Sequence, residues 1–471
     1  MSIALNVYHR LPRVSRSAVA SLRGYYLNWW RYDNQTDRLV DEILERDFWT
    51  ERQWSEWQSG RLAFLLERAA TRVPYYRRVW AERRRQGDTA SWSYLENWRI
   101  LEKEEVRTNP LEFVADDCEP SKMFHDHTSG TTGTSLSLWL TKETVKQWYA
   151  LFEARSRRWY GLTRQDRWAI LGGQLVAPVK QKKPPFWVWN AGLNQLYMSS
   201  YHLAPDLIPA YLDALVKYRI RYILGYPSAI YALAQEALRR KRKDVSMDVV
   251  ITNAEPLYEH QRHSISEAFG CPVRETYGMA EIVAAASECE HGSLHQWPDT
   301  GIIETGPADG DEPADLICTG LVNADMPLIR YRVGDSGKLS TAKCKCGRTL
   351  PLIEKIEGRS DDLLYTSDGR RVGRLDPIFK GGLPVREAQI IQESLAELKV
   401  LYVPDANFHR DALNDLTERI RDRMGDVEVD YKEVSEIPRT SRGKFRAVVC
   451  KLPAEQRRDL EIAPVEDSYS L

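Results

Sequence analysis

Short apolar runs alternate with helical segments between residues 166 and 257, and this alternation restricts the possible folds more than any other feature of the chain. The runs are DRWAILGG (166–173), IRYILGYPS (220–228) and MDVVITNAEPL (247–257). Each run is continuous and ends in a turn, as expected of a strand that is buried on both faces. The segments 205–219 and 227–243 have helical periodicity. The pattern predicts an α/β fold with a largely parallel sheet, which collects ligands at the carboxyl ends of its strands.

The chain on either side of this region has a different character. Residues 1–110 have helical patterns, and strand patterns predominate from about residue 300. After Gly358 the predicted order is strand, helix, strand, strand. A chain of 471 residues exceeds what one core usually supports. We therefore expect a large domain, with a helical part over 1–110 and an α/β part over 111–357, and a small α+β domain over 358–471.

Aromatic and basic residues are interleaved near the N-terminus, in segments such as SLRGYYLNWWRYD. The net charge of −1 gives no field that would attract nucleic acid, so the sequence favours core helices over a nucleic-acid contact. The residues predicted to form one apolar helix face are Phe48, Trp54, Trp57, Leu62, Phe64 and Leu65. No apolar run is long enough to cross a membrane and no leader peptide is recognisable, which predicts a cytoplasmic protein without a membrane span.

The loop HTSGTTGTSLSLWL (127–140) concentrates hydroxyl groups between glycines. Its central residues can bring backbone and hydroxyl donors to an anion, and they are Thr128, Ser129, Gly130, Thr131, Thr132 and Gly133. The lysine of a Walker loop is missing, because Thr134 and Ser135 follow the second glycine. Taken alone, the loop leaves two interpretations open, phosphate binding and an ordinary Ser/Thr turn.

Cysteine and histidine side chains recur in SECEHGSLH (287–295) and CKCGR (344–348). Cys344 and Cys346 on a tight turn can share one metal ion, and Cys289 with His295 can complete a tetrahedral zinc site of three sulfurs and one nitrogen. His291 competes as the fourth ligand, and reduced buried thiols without a metal are the alternative. Four protein ligands would make this zinc ion structural, since no position stays open for water.

Further stretches follow the hydroxyl-rich loop in a fixed order: NAEPL (253–257), ETYGMAE (275–281), RYRVGDSG (330–337) with GRSDD (358–362), and PRTSRGKF (438–445). Together with TSGTTG, this set resembles the adenylate-forming superfamily of acyl- and aryl-CoA ligases, peptide-synthetase adenylation domains and luciferases. Within it, GYPS, TNAEPL, PLIRYRVGD, CKCGR and GRSDD are most similar to the phenylacetate-CoA ligase branch, including its capsular-polysaccharide relatives. The resemblance covers about residues 120 to 450.

The resemblance implies a fold and a reaction. The large domain is expected to contain layered α/β sheets and a β-rich subdomain, and the small C-terminal domain is expected to move. Such enzymes join a carboxylate to ATP with the help of Mg²⁺, release pyrophosphate, and pass the acyl group to a nucleophile, usually the thiol of coenzyme A. We expect an aromatic or hydrophobic acid, because the residues predicted for its pocket are uncharged. These residues are Tyr226, Pro227, Asn253, Gly278, Met279 and Ala280.

The resemblance also assigns roles to single residues. The loop over 128–133 would hold the β- and γ-phosphates. The residues expected around adenine and ribose are Ala254, Glu255, Pro256, Tyr277, Gly278, Asp335 and Arg359. Glu281 would bind Mg²⁺, which prefers oxygen ligands. Lys444 would bridge the carboxylate and the α-phosphate, and Asp361 would act as the hinge of the small domain.

Other functions stay open at this point. One is an adenylate-forming enzyme that uses no CoA and transfers AMP, or passes its acyl group to an amine or a sugar. Another is an inactive relative that serves as a binding scaffold. The sequence leaves the acid, the acceptor and the oligomeric state open, with a homodimer among the possibilities.

Overall fold

The computed structural model describes Tyr8 and residues 11–128, 136–174, 176–178, 181–203, 206–307, 313–357, 364–367, 371–372, 384–404, 408–437, 447–453 and 455–457. The N-terminal part is helical, as the sequence predicts. Its helices are α1 (Arg13–Arg31), α2 (Asn34–Arg46), α3 (Glu51–Arg72), α4 (Pro74–Arg85) and α5 (Lys103–Thr108). Side-chain caps define two of their starts: Asp33 accepts a hydrogen bond from Thr36 N at 2.9 Å, and Thr50 forms a capping box with Gln53.

The predicted apolar face in this region is wrong at two positions. Trp54 and Leu65 are buried as expected, but Phe48 and Phe64 are 60% and 51% exposed. Phe48 precedes α3, so the helical period does not apply to it. Phe64 points away from the core because the buried side of α3 continues from Leu65 through residues 66, 69 and 70.

A 12-stranded sheet forms the centre of the large domain. Its order is β11-β12-β13-β14-β10-β9-β8-β7-β6-β3-β5-β4. The strands are β3 (Trp168–Gly172), β4 (Trp187–Asn190), β5 (Gln195–Ser199), β6 (Tyr222–Gly225), β7 (Val249–Thr252), β8 (Val273–Gly278), β9 (Ala285–Glu288), β10 (Leu294–Gln296), β11 (Gly301–Thr305), β12 (Ala314–Gly320), β13 (Tyr331–Ser340) and β14 (Leu352–Glu357). The separate pair β1 (Phe124–His127) and β2 (Ser137–Leu140) is antiparallel.

The sheet has a parallel half and an antiparallel half. Strands β5, β3, β6, β7 and β8 pair in parallel, and the intervening helices are α7 (Ile208–Lys217), α8 (Pro227–Arg239) and α9 (Glu259–Phe269). This confirms the predicted α/β alternation. Strands β9 to β14 pair in antiparallel fashion and form the predicted β-rich part. Helix α6 (Lys142–Ser156) lies between β2 and β3 in the chain.

Strand β8 joins the two halves, and its position matters for the site. It pairs in parallel with β7 through Val250–Val273 and in antiparallel fashion with β9 through Tyr277–Ala286. The residues that follow β7 and the end of β8 therefore lie at the same edge of the sheet.

The small domain is built on a second sheet, of order β19-β18-β17-β20. Its elements are β15 (Leu364–Tyr365), β16 (Arg371–Val372), β17 (Val385–Gln392), β18 (Glu397–Pro404), α10 (Asp411–Met424), β19 (Glu428–Glu433) and β20 (Val448–Cys450). The α+β class is as predicted, but β17 was not expected, since its first half reads VREAQ and breaks the apolar pattern. Its burial comes from Ile390, which packs with Val400, Leu416 and Ile420 in this domain's own core.

Five short 3₁₀ helices complete the described elements: Leu95–Asn97, Pro110–Phe113, Pro120–Lys122, Arg158–Tyr160 and Ala191–Leu193. Within the described part of the chain, no helix has the length and apolar character needed to cross a bilayer.

Candidate functional site

Tyr277 and Asp335 meet at the junction of the two halves of the sheet. Tyr277 lies on β8 and Asp335 on β13, which are not neighbouring strands. The Tyr277 hydroxyl donates to Asp335 Oδ2 at 2.9 Å. Burial and the nearby Asp335 carboxylate raise the pKa of Tyr277 well above its usual value, so the hydroxyl stays protonated and donates. The structure thus brings together a flat aromatic ring and a carboxylate that the sequence places 58 residues apart.

Glu281 follows β8 and is buried, with its side chain 6% exposed. Its Oε1 atom accepts hydrogen bonds from Tyr331 Oη at 3.2 Å and from Lys103 Nζ at 3.2 Å. Both hydrogen bonds that Glu281 makes among the described residues go to Oε1. Sequence reasoning missed Lys103, which begins α5, because no local motif links it to a residue 178 positions away.

The segment after β7 adopts an unusual backbone. Ala254 has a φ of +65°, in a region that residues with a side chain rarely occupy. The next residue, Glu255, uses Oε2 to accept a hydrogen bond from Ser228 N at 3.0 Å, at the start of α8. This carboxylate ties the segment to the first turn of α8, and the segment presents Pro256 to solvent. The turn is therefore held in a conformation that its own sequence does not favour.

Asn253 carries a buried polar atom without a partner. Within the described residues, its Oδ1 atom is buried and has no hydrogen bond. A buried acceptor without a donor costs free energy unless a ligand or water satisfies it. Asn253 lies at the carboxyl end of β7, where ligands of parallel sheets bind.

The other residues predicted for the acid pocket lie at the same edge. A Cβ atom added to Gly172 would lie 3.8 Å from the Tyr226 ring, so this ring covers the end of β3. A Cβ atom added to Gly278 would lie 3.8 Å from Trp148 Cη2. The remaining predicted members, Pro227, Met279 and Ala280, are buried or partly buried. Trp148, on α6, is a further apolar neighbour that the sequence did not point to.

Only one residue of the predicted phosphate loop is described. Thr128 accepts a hydrogen bond from Leu136 N through Oγ1 at 2.9 Å, and its own N–H donates to Leu136 O at 3.0 Å. Thr128 therefore closes the base of the loop. Ser129, Gly130, Thr131, Thr132 and Gly133 lie outside the described residues, as do Arg359, Asp361 and Lys444.

Four predicted metal ligands converge at a second site, between β9, β10 and the turn before β14. Cys289 Sγ lies 3.6 Å from Cys344 Sγ, and Cys346 Sγ lies 3.4 Å from His295 Nε2. All four ligand atoms lie within 4.8 Å of one another. Sulfurs that share a tetrahedral zinc ion are about 3.8 Å apart, so the donor set and its spacing fit zinc.

The surroundings of this cluster orient its histidine. His295 is 0% exposed, and its Nδ1 atom lies 3.3 Å from Leu350 O, which directs Nε2 towards the sulfurs. The competing residue His291 is exposed and lies outside the cluster. Gly347 supports the turn that carries Cys344 and Cys346, since its φ of +82° is one that favours glycine.

Glu275 is a titratable group on β8, close to Tyr277. It lies on β8 two residues before Tyr277, and its N–H donates to Glu288 Oε2 at 2.9 Å. Burial, together with the negative charge of Glu288, raises the pKa of Glu275 to about 7. The group was not predicted, because its environment depends on β9.

Two family models match the chain. A family model described as AMP-binding enzyme matches residues 56–307, more than half of the 471-residue chain. A second model, described as CapK C-terminal domain, matches residues 364–451.

Two relatives extend along most of the chain. The chain is 24% identical over 457 residues to protein CapK of Staphylococcus aureus, and the alignment covers 94% of this chain and 98% of that protein. It is 26% identical over 450 residues to a phenylacetate-coenzyme A ligase of Thermus thermophilus, over 83% of this chain and 95% of the relative. A solved 2-hydroxyisobutyryl-CoA ligase, in complex with 2-HIB-AMP and CoA, shares the fold with a TM-score of 0.57 at 20% identity, over 89% of this chain and 94% of that chain.

Proposed function

The chain belongs to the AMP-binding enzyme family, in the phenylacetate-CoA ligase branch of the adenylate-forming superfamily that includes the CapK relatives, and we propose that it makes a CoA thioester of an aromatic or hydrophobic carboxylic acid. In the first step, a carboxylate oxygen attacks the α-phosphorus of ATP and pyrophosphate leaves. In the second step, the thiol sulfur of CoA attacks the acyl carbon and AMP leaves. The family supports the first step, and the second is our inference from the ligase relatives.

The observation that carries this proposal is the contact between Tyr277 and Asp335. A nucleoside presents a flat base and two ribose hydroxyls side by side. The Tyr277 ring suits the base and the Asp335 carboxylate suits the hydroxyls, since a carboxylate accepts hydrogen bonds more strongly than a neutral group. When ATP binds, the ribose would take the place of the Tyr277 hydroxyl at Asp335.

Asn253, which the sequence analysis assigned to the acid pocket, would instead complete the adenine site together with the segment after it. Adenine offers an exocyclic amino group, and Asn253 Oδ1 is an acceptor that lacks a donor within the described residues. Ala254, Glu255 and Pro256 would form the wall opposite Tyr277, with Glu255 holding the turn through Ser228. This arrangement gives adenine both a stacking face and a polar contact.

The phosphate end would rely on Glu281 and on the loop over 128–133. Mg²⁺ would neutralise charge on the phosphate oxygens when bound. Glu281 would hold the ion through Oε2, while Lys103 and Tyr331 keep Oε1 in place. Thr128 would fix the base of the loop through Leu136, and the loop's amide and hydroxyl groups would face the phosphates.

The acid would lie beside Tyr226, Gly278 and Trp148, in uncharged surroundings. Such a pocket binds an apolar side chain through the area it removes from water. None of the described residues placed in this pocket is a cation that could pair with a second carboxylate, so a monoacid is favoured. Replacing Gly278 by a larger residue would fill the space next to Trp148 and narrow the range of acids.

The residues of the small domain keep their predicted roles as part of the proposal. Lys444 would stabilise the charge that develops between the carboxylate and the α-phosphate, and Arg359 would reach the ribose and α-phosphate. Asp361 would be the hinge between the two poses of the small domain, with the division near residue 358.

We also propose a structural zinc ion at Cys289, His295, Cys344 and Cys346. What supports it is the donor set and its spacing. Four protein ligands leave no open position, so the ion would join the loops around β10 rather than activate water.

The proposal is tested by incubating the protein with ATP, Mg²⁺ and a panel of aryl, arylacetic and aliphatic acids, with and without CoA. We expect acid-dependent AMP release that rises strongly with CoA, and a thioester detectable by mass. AMP release that does not change with CoA but rises with an amine or a sugar would favour that amine or sugar as the acceptor. The match of residues 364–451 to a CapK domain keeps this alternative open. Absence of AMP with every acid would contradict the proposal and favour a scaffold.

A further inference from the structure

The outer face of α1 is apolar and exposed. Its large side chains are Val19, Leu22, Tyr25, Tyr26 and Trp29, spaced three or four residues apart, which places them on one side of the helix. Leu22 is 72% exposed and Trp29 is 76% exposed. Of the twelve large hydrophobic side chains exposed among the described residues, these five lie on one helix. Apolar exposure is therefore concentrated here rather than scattered.

The opposite face of α1 is firmly packed. Gly24 is so close to β4 that a Cβ atom there would lie 1.8 Å from Asn190 Oδ1. The Ser21 hydroxyl accepts a hydrogen bond from Ala191 N at 3.0 Å, and the Arg31 guanidinium lies 3.6 Å from the centre of the Tyr149 ring. The exposed face thus belongs to a helix whose position in the fold is fixed.

The charged residues of α1 itself are all basic. Residues 1–32 contain five arginines and no aspartate or glutamate, although the whole chain has a net charge of −1. Two exposed lysines, Lys182 and Lys183, lie next to Gln181, which accepts a hydrogen bond from Arg16 Nη2 at 3.3 Å. Arg23 is exposed at the edge of the apolar face. An anionic partner would therefore complement the region.

We infer that this face binds the surface of an anionic lipid bilayer. A helix with aromatic and aliphatic groups on one side and only basic residues at its rim lies in the membrane interface, with tryptophan and tyrosine at the level of the headgroups. Leu22 and Trp29 enter the acyl boundary, and Arg23, Lys182 and Lys183 contact the anionic headgroups. The protein lies on the bilayer without crossing it.

A second copy of the chain fits the apolar face of α1 less well than an anionic lipid surface does. A two-fold symmetric contact through α1 would bring the basic rims of both copies together, with no acidic residue among residues 1–32 to pair with them. A lipid surface rich in phosphate groups removes this repulsion.

Co-sedimentation with vesicles tests the inference on the full-length chain. One set of vesicles is pure phosphatidylcholine and the other contains phosphatidylglycerol. We expect binding to the anionic set only, weakened by salt because exposed charges are screened. The double variant Leu22→Ser with Trp29→Ser should reduce the partition coefficient at least about tenfold. Lys182→Glu with Lys183→Glu should also weaken binding.

The matched control is Phe48→Ser with Phe64→Ser, which removes two aromatic rings exposed elsewhere. It should bind vesicles like the unaltered chain. All three double variants should keep the far-UV spectrum and the ATP–pyrophosphate exchange of the unaltered chain. The inference is overturned if the unaltered chain does not bind anionic vesicles, or if it binds neutral vesicles equally well. It is also overturned if size measurements show a dimer that the Leu22 and Trp29 changes dissociate, since α1 would then be a self-association surface.

Discussion

At the scale of single residues, the contact between Tyr277 and Asp335 makes a prediction about ATP. Asp335→Asn keeps the shape of the side chain but removes its charge, so hydrogen bonds to the ribose hydroxyls become weaker. We expect the KM for ATP to rise about tenfold or more, with a smaller effect for Tyr277→Phe, which keeps the ring. Steady-state AMP formation at varied ATP measures both. Equal KM values for Asp335→Asn and the unaltered protein would remove Asp335 from the nucleotide site.

Glu275 makes a prediction about pH. Its pKa is about 7 in the folded protein, raised by burial and by Glu288, against 4.5 ordinarily. Between these values the folded protein binds a proton that the unfolded chain has released, so this group's contribution to the free energy of unfolding falls as pH rises. Above about pH 7 both states are ionised and the contribution stays constant.

Urea unfolding of the unaltered protein and of Glu275→Gln, at several values between pH 4.5 and 8, isolates this contribution. The variant should gain stability relative to the unaltered protein as pH rises towards 7. A difference between the two proteins that does not change with pH would show that Glu275 is ionised normally.

At the scale of elements, the cluster of Cys289, His295, Cys344 and Cys346 connects β9 and β10 with the turn before β14. β10 is only three residues long, and His295 on it faces the turn that carries Cys344 and Cys346. We expect about one zinc per chain by elemental analysis, lost with His295→Ala and kept with His291→Ala. Chelation should lower the melting temperature of the unaltered protein. Zinc retained in His295→Ala would contradict the ligand set.

A buried ion network fixes the helices beside this cluster. Arg155 on α6 is 0% exposed, its Nε atom donates to Asp47 Oδ1 at 2.8 Å, and its Nη2 atom donates to Asp299 Oδ2 at 3.2 Å. Arg155→Met would leave Asp47 with only the more distant guanidinium of Arg348, at 3.9 Å, and Asp299 with only that of Arg46, at 4.0 Å. We therefore expect a loss of about 3–5 kcal/mol in the free energy of unfolding. Arg52→Met, which breaks an exposed pair with Glu56, should change it by less than about 1 kcal/mol. Similar losses in the two variants would refute the role of the network.

At the scale of the whole molecule, the sequence predicts the class of fold well because its strands are continuous apolar runs. The runs that form β3, β6 and β7 can be recognised as strands from the sequence without knowing which strands lie beside them. The grouping of Cys289, His295, Cys344 and Cys346 was also predictable, because cysteine and histidine have few other reasons to recur at such spacings.

What could not be predicted depends on contacts that are distant in the chain. Lys103 reaches Glu281 only because α5 packs against the β-rich half of the sheet. The packing of neighbouring elements, and not the helical period alone, determines that Leu65 of α3 is buried and Phe64 is exposed. The same holds for α1, where an aromatic stripe typical of a core helix faces solvent.

The most direct test of the central claim is exchange of labelled pyrophosphate into ATP, measured across a panel of carboxylic acids. The exchange reports the adenylation step alone and needs no acceptor. We predict exchange that depends on one class of aromatic or hydrophobic acid and that falls by about 100-fold or more in Lys444→Ala. Full exchange in Lys444→Ala would refute the role of that lysine, and no exchange with any acid would contradict the assignment of this chain as an adenylate-forming ligase.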